Sequence, residues 1–380
     1  MKLVVFVSHP IQHFTQWFQE ISQILDGELT VCYASRHGIV ESYDPEFAES
    51  FSWDTDLLSG YRAVFHGRNL LANPGDGFLS IAYADLDEFF EREKPDAVLL
   101  LGWQFIGYWM CALAANRHGI PYFVRGESNL LRQGSALKWW VKKQTIGRLC
   151  RGAEACLAIG QRNADLYRSY GVSEQRIFNI PYFVDNDYFR TIQPTRENDE
   201  TVFVFVFVGK LIEKKHPDHL LAAWLQLSES ERSNSRLLFV GSGELEERLR
   251  TSAAEESNVE FVGFANRSEL PALYARSDAL VLPSDQGETW GLVVNEALAS
   301  GLAVLVSDKV GSAPDLVEPG VTGFTFEFGN IKQLSALLSK MVRENLATYS
   351  ESSPQKVEDI SPVAAAKQTV AAIEKMIQAK

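Results

Sequence analysis

Two glutamates stand eight positions apart in the segment 284–296, which follows an apolar run and opens a helical pattern. The simplest arrangement puts Glu288 in the loop and Glu296 in the helix, where their carboxylates could accept hydrogen bonds from sugar hydroxyls at two points of an extended ligand. Gly287 and Gly291 let the backbone approach a ligand closely, and a helix N-terminus suits an anion. A surface helix with two solvated glutamates fits the spacing equally well.

Two lysines follow an earlier apolar run, which begins at residue 202 and ends at Gly209. Ligands of parallel sheets bind at the carboxyl ends of the strands, so Lys210 and Lys215 could hold a diphosphate as point charges. The chain carries a formal net charge of -13. An anion site must therefore be built locally, which gives this lysine pair more weight.

The composition is that of a soluble globular protein, with 46% hydrophobic and 22% charged residues among 380. This length suits two domains better than one core. The acidic balance argues against a nucleic-acid partner, because neutralising phosphates requires a basic face. Four cysteines (Cys32, Cys111, Cys150 and Cys156) show no CxxC spacing, and the apolar run 3–7 is too short for a secretory signal. These features predict a cytoplasmic protein.

Short apolar runs alternate with amphipathic stretches along the chain. Continuous Val, Ile, Leu and Phe runs are typical of parallel strands that are buried on both faces. Strands are predicted at 3–7, 29–33, 97–101, 122–125, 155–159, 202–208, 236–240, 259–262, 279–282 and 303–306, and helices at 218–227, 245–253, 331–342 and 362–380, with a polar segment at 352–354. The uncharged stretch 97–115 is nearly long enough to cross a bilayer. Its glycines and Gln104 favour a buried strand, a turn and a buried helix instead.

This alternation predicts an α/β protein with two doubly wound units. The polar stretch 190–200 predicts the boundary. Residues 1–190 would form an N-terminal, acceptor-side domain and residues 200–360 a C-terminal donor domain. The helix at 362–380 could pack back on the first domain.

The lysine and glutamate segments together resemble the retaining glycosyltransferases of family 4. That family has a Gly-Arg…Lys element after the first strand of its C-terminal domain and a Glu-x7-Glu element later. Here Gly209, Lys210, Lys215, Glu288 and Glu296 match these elements. The segments 240–244, 262–264, 273–278 and 311–323 follow in the family's order, and 179–185 resembles the stretch before the interdomain linker. The resemblance implies the GT-B fold, in which two Rossmann-like domains with parallel sheets face each other across a cleft.

The resemblance also implies roles for these residues. Lys210, where the family usually has arginine, and Lys215 would neutralise the donor diphosphate, although lysine lacks bidentate geometry. Glu288 would contact the transferred sugar, Glu296 the ribose and the backbone near Phe264 the base. Fixed positive charge where the leaving group becomes negative is the main chemical requirement. Lys210, Lys215 and Glu288 are therefore the predicted catalytic residues, with no protein nucleophile. The predicted donor-binding residues are Gly209, Phe264, Thr289, Trp290, Gly291, Leu292 and Glu296, of which the amides of 290–292 would hold the distal phosphate.

The acceptor half resembles the family less closely. The loop 8–13 reads Ser-His-Pro-Ile-Gln-His, as in a subset of polysaccharide-building members, and would bring His9, Gln12 and His13 to the cleft. Many members keep a histidine beside the donor sugar at the place of residues 126–129. Arg125 or Glu127 would substitute for it here. A structural role for the two histidines is the alternative.

Basic and aromatic residues mix between Leu137 and Arg151. Such a segment could bind an anionic membrane surface that carries a lipid-linked acceptor. An ordinary amphipathic helix with its tryptophans in the core is the alternative that the pattern favours.

Metal and dinucleotide signatures are weak. An Asp-x-Asp pattern occurs at 54–56 and again at 85–87. Such a short pattern arises easily by chance in an acidic chain, so no metal or other cofactor is expected. Residues 241–243 read Gly-Ser-Gly after a strand, but Glu246 stands where a dinucleotide fingerprint needs its third glycine.

The sequence therefore predicts a metal-independent hexosyltransferase, cytoplasmic or peripheral at the inner face of the membrane. It would use a nucleoside-diphosphate sugar, by family frequency a UDP-sugar, and a saccharide or lipid-linked acceptor in polysaccharide or glycoconjugate synthesis. A UDP-sugar epimerase of GT-B architecture and a noncatalytic nucleotide-sugar binding subunit are the alternatives.

Overall fold

The computed structural model describes residues 1–39, 42–44, 49–51, 56–131, 135–191, 202–343 and 347–379. The chain forms two compact units. The first comprises Met1–Tyr43, Ser50–Tyr182 and Pro362–Lys380, and the second contains Phe183–Ser361. The division after Tyr182 precedes the predicted boundary at 190 by eight residues. Residues 192–200 of the predicted boundary stretch 190–200 lie outside the described residues.

The first unit is built on a parallel sheet. The strands in this part of the chain are β1 (Leu3–Val7), β2 (Leu29–Tyr33), β3 (Ser42–Asp44), β4 (Glu49–Phe51), β5 (Arg62–Phe65), β6 (Ala97–Leu100), β7 (Tyr122–Val124), β8 (Ala155–Ala158) and β9 (Ile177–Asn179). Seven of them form one sheet in the order β5-β2-β1-β6-β7-β8-β9, and β3 pairs with β4 separately. The ladders of the seven-stranded sheet are parallel.

Helices cover this sheet. They are α1 (Gln12–Ile24), α2 (Leu86–Glu93), α3 (Ile106–Arg117), α4 (Ala136–Gln144), α5 (Ile146–Gly152) and α6 (Gln161–Ser169). The central strand β1 is buried at every position, which is the expected environment of an apolar run between two helical layers. Trp17 and Phe18 of α1 are also buried.

The second unit repeats this architecture. Its strands β10 (Phe203–Val208), β11 (Ser235–Val240), β12 (Val259–Gly263), β13 (Ala279–Leu282), β14 (Ala303–Ser307) and β15 (Gly323–Phe326) form a parallel sheet in the order β12-β11-β10-β13-β14-β15. The remaining helices are α7 (Asn186–Arg190), α8 (Pro217–Trp224), α9 (Glu229–Ser233), α10 (Glu246–Ser252), α11 (Leu270–Ala275), α12 (Leu292–Ala299), α13 (Ala313–Leu316), α14 (Ile331–Arg343), α15 (Ala347–Lys356) and α16 (Pro362–Gln378). Helix α16 belongs to the first unit, where it packs along α1.

The predicted α/β class with two parallel, Rossmann-like sheets is confirmed. Every strand predicted from the sequence is present, and its ends agree within one residue. Strands β3, β4, β5, β9 and β15 were not predicted. The polar segment 352–354 lies inside helix α15. The stretch 97–115 forms β6 and then α3, and none of the described helices is long and apolar enough to cross a membrane.

Candidate active site

The lysine segment follows the central strand of the second sheet. After β10, the chain continues through Gly209 and Lys210 into a short 3-10 turn, Glu213–Lys215. The loop after β11 packs directly against it, and Leu211 donates its amide to the Ser242 carbonyl at 2.8 Å. A Cβ on Gly241 would lie 2.0 Å from the Gly209 carbonyl oxygen. The Gly-Ser-Gly sequence thus allows two loops to approach closely beside the lysines.

The glutamate loop after β13 is joined to the lysine turn. Asp285 donates its amide to the Lys214 carbonyl at 3.0 Å. Lys215 Nζ donates a hydrogen bond to Glu288 Oε2, and Ser284 Oγ lies 3.3 Å from the same carboxylate oxygen. Both charged side chains are largely buried, with 17% of Lys215 and 13% of Glu288 exposed. The structure therefore brings two of the predicted catalytic residues together.

Helix α12 begins immediately after this loop, and Gly291 at its N-cap adopts a left-handed conformation (φ 91°). Trp290 is buried and donates from Nε1 to Asn295 Oδ1 at 2.8 Å. Gly311, which follows β14, donates its amide to the Glu288 carbonyl at 3.1 Å. A Cβ on Gly311 would lie 1.7 Å from the Thr289 carbonyl oxygen. These contacts fix the entry to a helix whose first amides lack intrahelical partners.

Glu296 lies one turn further along α12. It accepts a 2.7 Å hydrogen bond from the hydroxyl of Tyr274 on α11. Burial raises the pKa of Glu296, and this effect exceeds the opposing influence of the Tyr274 hydrogen bond and of the Arg267 charge. The Arg267 guanidinium stacks over the Tyr188 ring at 4.7 Å. The Tyr274 hydrogen bond thus holds the Glu296 carboxyl in surroundings that disfavour its ionised form.

The predicted donor residues share one edge of the sheet. Gly209 and Lys210 follow β10, and the segment from Glu288 to Leu292 follows β13, the neighbouring strand. Phe264 follows β12 at the same edge, two strands away from β10. This is the edge at which parallel α/β sheets bind ligands.

A buried arginine organises the predicted acceptor side in the first unit. Arg125, only 2% exposed, donates from Nη1 to the Ile180 carbonyl at 2.7 Å. Its guanidinium lies 5.2 Å from the ring of Trp17 and 5.1 Å from that of Tyr182. The Tyr182 hydroxyl donates to Glu127 Oε1. Desolvation of the carboxyl by its neighbours raises the pKa of Glu127, while the Tyr182 hydrogen bond and the Arg125 charge act in the opposite direction.

The loop that carries Glu127 is tied to its surroundings. Gly126 donates its amide to the Tyr167 hydroxyl at 2.9 Å, and Asn163 Nδ2 donates to the Ser128 carbonyl at 2.6 Å. A Cβ on Gly126 would lie 2.0 Å from the Trp103 ring. Glu127 is therefore held by its backbone as well as by Tyr182.

The two predicted histidines are held as neutral rings. Burial, with a smaller contribution from His37, lowers the pKa of His9 to about 4. Burial, with contributions from Arg125 and His9, lowers the pKa of His13 to about 3. The His13 ring packs edge-on against Tyr182 at 5.3 Å. Gln12 is the first residue of α1. At neutral pH these histidines can act as hydrogen-bonding groups but not as cations.

Sequence reasoning missed three residues that shape these sites, namely Tyr182, Tyr274 and Gly311. All three lie in segments that resemble the family. The sequence separation of Tyr182 from Glu127, and of Tyr274 from Glu296, matches neither a helical repeat nor a known motif, so no pattern indicated these contacts. The second Asp-x-Asp match contains Asp87, which pairs with Arg117 at 2.7 Å. Asp54 and Thr55 of the first match lie outside the described residues.

Helix α4 overlaps the segment 137–151, for which the sequence left open either membrane contact or an ordinary amphipathic helix. No residue of α4 is buried. Leu137, Trp140 and Val141 are 71%, 59% and 44% exposed, whereas Trp139 stacks on Tyr170 at 5.5 Å. The expectation that both tryptophans lie in the core is therefore wrong for Trp140.

Comparison with known proteins agrees with this arrangement. Residues 189–356 match the family described as Glycosyl transferases group 1, and residues 50–182 match the Glycosyl transferase 4-like domain. The chain belongs to the GT-B glycosyltransferases. Anabaena HepE in complex with UDP aligns over 99% of this chain and 100% of its own, with a TM-score of 0.75 and 15% identity. At this identity the likeness shows the GT-B fold alone.

Curated relatives match this GT-B glycosyltransferase over shorter stretches. Spore coat protein SA of Bacillus subtilis (strain 168) is 32% identical over 162 residues, which cover 39% of this chain and 42% of that protein. The GDP-mannose-dependent alpha-mannosyltransferase of Mycobacterium tuberculosis (strain CDC 1551 / Oshkosh) is 35% identical over 139 residues, which cover 36% and 34%. The chain thus spans less than half the length of these two relatives.

Proposed function

We propose that this chain transfers a hexose from a UDP-sugar to a saccharide or lipid-linked acceptor, with retention of anomeric configuration. The observation that carries the proposal is the Lys215–Glu288 pair at the carboxyl edge of the second sheet. It places a cation for a diphosphate beside a carboxylate for sugar hydroxyls. A nucleotide sugar carries both a diphosphate for the cation and sugar hydroxyls for the carboxylate.

The chemical step requires departure of a nucleoside diphosphate. The bond between the anomeric carbon and the β-phosphate oxygen breaks, and the acceptor hydroxyl oxygen forms the new glycosidic bond on the same face. The departing phosphate oxygen takes the acceptor's proton, so the atoms balance without a protein nucleophile. Lys210 and Lys215 stabilise the negative charge that develops on the diphosphate, and the amides at the start of α12 contribute to its binding.

The remaining donor residues orient the substrate. Glu288 accepts hydrogen bonds from the transferred sugar, and Glu296 accepts them from the ribose hydroxyls. The Tyr274 hydrogen bond fixes the direction of the Glu296 carboxylate. Carboxylates that are already held in the right orientation lower the entropic cost of aligning the donor for transfer.

The acceptor is proposed to bind through the first unit. Glu127 would accept a hydrogen bond from the acceptor hydroxyl, and Arg125 and Tyr182 hold that carboxyl in place. His9, Gln12 and His13 follow β1 at the same edge of their sheet. Neutral imidazoles suit hydroxyl groups better than charged acceptors.

The nucleotide base can be tested directly. HepE was solved in complex with UDP, while the Mycobacterium relative is GDP-mannose-dependent. We expect UDP to raise the melting temperature more than GDP or ADP, because a ligand that binds only the native state stabilises it by mass action. A larger shift with GDP would replace UDP in the proposal, and no shift with any of the three would contradict it.

A membrane-facing role is proposed for α4. The exposed Leu137, Trp140 and Val141 share this helix with Lys138, Lys142 and Lys143. Apolar and basic side chains together suit an anionic lipid surface, where each cation contributes about 1 kcal/mol. Binding of α4 to the inner face of a membrane would bring the protein to the surface that carries a lipid-linked acceptor. We further propose that the chemical step needs no Mg²⁺ or Mn²⁺ at the diphosphate, so adding either ion should leave the transfer rate unchanged.

A further inference from the structure

Three metal-ligating side chains meet where the lysine turn enters helix α8. His216, Asp218 and His219 each offer one ligand atom, and these atoms all lie within 4.8 Å of one another. His216 adopts a left-handed conformation (φ 49°). Its ring stacks on that of His219, with the ring centroids 4.4 Å apart. None of these residues has a part in the proposed transfer.

The surroundings leave this cluster short of polar partners. The Nδ1 atom of His219 is buried and has no hydrogen-bond partner among the described residues. The cation contacts of Asp218 are long, at 3.8 Å from Oδ1 to His216 Nδ1 and 3.7 Å from Oδ2 to Arg248 Nη2. Both distances exceed that of a hydrogen bond. A buried nitrogen without a partner is costly and calls for an explanation.

The donor set indicates the kind of ion. Two imidazoles and one carboxylate suit Zn²⁺, Co²⁺ and Ni²⁺, whereas Mg²⁺ and Ca²⁺ prefer oxygen ligands. Ligand atoms around a tetrahedral zinc ion lie about 3.3 Å apart. The three side chains are only partly buried, so rotation of the stacked rings can close the remaining gap.

We propose that His216, Asp218 and His219 bind a divalent ion of the zinc class through two imidazole nitrogens and one carboxylate oxygen, with solvent completing the coordination. Phe328 packs against both rings, at 4.9 and 5.5 Å, and supplies an apolar side to the site. The ion would be anchored immediately after Lys215 and would hold the lysine turn in one conformation. The site does not depend on the transferase proposal.

Cobalt gives a direct readout of such a site. Protein stripped with a chelator and dialysed is titrated with Co²⁺, and the visible absorption is recorded. We expect one equivalent of bound Co²⁺, displaced by Zn²⁺, without a thiolate charge-transfer band, because the four cysteines are buried elsewhere in the first unit. A titration in which the wild-type protein binds no Co²⁺ and shows no thermal shift with Zn²⁺ overturns the proposal.

Variants locate the ion. His219→Ala and the milder Asp218→Asn should each weaken binding by more than about tenfold, since even outer-shell changes cost 10–100-fold. His118→Ala is the matched control, because His118 also lies beside an aspartate, with Nε2 3.0 Å from Asp87 Oδ1. Melting of the metal-free variants shows whether they fold; if His219→Ala does not, Asp218→Asn decides. Wild-type affinity in the folded variants, or an equal loss in the control, overturns the assignment.

Discussion

Lys215 donates its Nζ hydrogen bond to the carboxylate of Glu288. Lys215 is expected to bind the donor diphosphate and Glu288 the donor sugar. In the ligand-free protein, the ammonium group and the carboxylate that would bind these two parts of the donor are instead bonded to each other. Because the pair is largely buried, solvent and salt screen it less than an exposed pair. Donor binding must therefore rearrange this pair, which makes it the point where the two halves of the proposed subsite are coupled.

Removal of the lysine charge tests the diphosphate role. Lys215→Ala should lower kcat by about 100-fold, the typical cost of one missing electrostatic stabiliser. Its effect on donor affinity should be smaller, because the charge on the leaving group grows in the transition state. Steady-state kinetics separate kcat from the Michaelis constant of the donor.

Lys214→Ala is the matched control for this variant. It removes the same charge from the adjacent, exposed position and leaves in place the backbone carbonyl that accepts a hydrogen bond from Asp285. Equal losses in the two variants would mean that net charge, rather than the position of Lys215, matters.

We expect Glu296 to lower the free energy of unfolding of the free protein and to strengthen nucleotide binding. Burial raises the folded-state pKa of Glu296, so the fold disfavours the ionised carboxylate. The free energy of unfolding therefore falls as the pH rises from the carboxyl pKa of the unfolded chain to the higher pKa of the folded protein. Glu296→Gln should raise the melting temperature of the free protein at neutral pH and weaken UDP binding. A variant that loses both stability and binding would indicate a structural role alone. Calorimetric titration and thermal melting provide the two readouts.

The Tyr182 hydroxyl should control the acidic limb of the activity profile. Tyr182 and the Arg125 charge lower the pKa of Glu127 against desolvation, which raises it. Tyr182→Phe removes the hydrogen bond, so the Glu127 pKa should rise. The acidic limb of kcat/KM for the acceptor should move to higher pH. Tyr61→Phe, whose hydroxyl lies 2.7 Å from that of Tyr33 in the same unit, serves as the control. An unchanged limb would argue against an ionised Glu127.

His13 should make the protein less stable in mild acid. Its folded-state pKa of about 3 lies below the ordinary value near 6.5. The unfolded chain therefore binds more protons, and stability falls as pH drops below about 6.5, by up to about 1.4 kcal/mol per pH unit for one histidine. His13→Asn should flatten this dependence in urea unfolding followed from pH 7 to 5, and His118→Asn should not. Parallel curves for the two variants would contradict the prediction.

Helix α4 should bind anionic vesicles. We expect co-sedimentation with vesicles containing phosphatidylserine at low salt and much less with neutral vesicles. Replacement of Leu137 and Trp140 by glutamine should weaken the binding, whereas Leu113→Gln, which changes another exposed leucine on α3, should not. The membrane proposal fails if the wild-type protein does not bind at low salt.

The sequence predicted the central strands well because these are buried on both faces. Strand β1, for example, is fully buried and reads as one apolar run. Of the missed strands, β5, β9 and β15 lie at the edges of the two large sheets. Each contains partly or fully exposed positions, so no continuous apolar run marks them.

The candidate sites were predictable in part. Motif order selected Lys215, Glu288 and Glu296, since these residues stand at set intervals after strands. Their partners could not be found in this way. Tyr182 reaches Glu127 across 55 positions and Lys215 reaches Glu288 across 73, and such pairings depend on which strands become neighbours in the sheet.

Product analysis tests the central claim most directly. The wild-type protein and Glu288→Gln are incubated with radiolabelled UDP-hexose and an acceptor mixture, and both free UDP and labelled glycoside are measured. We predict equimolar UDP and a new glycoside of retained configuration, both reduced about 100-fold in Glu288→Gln. Interconversion of the sugar without release of UDP, or binding without turnover, would contradict the account.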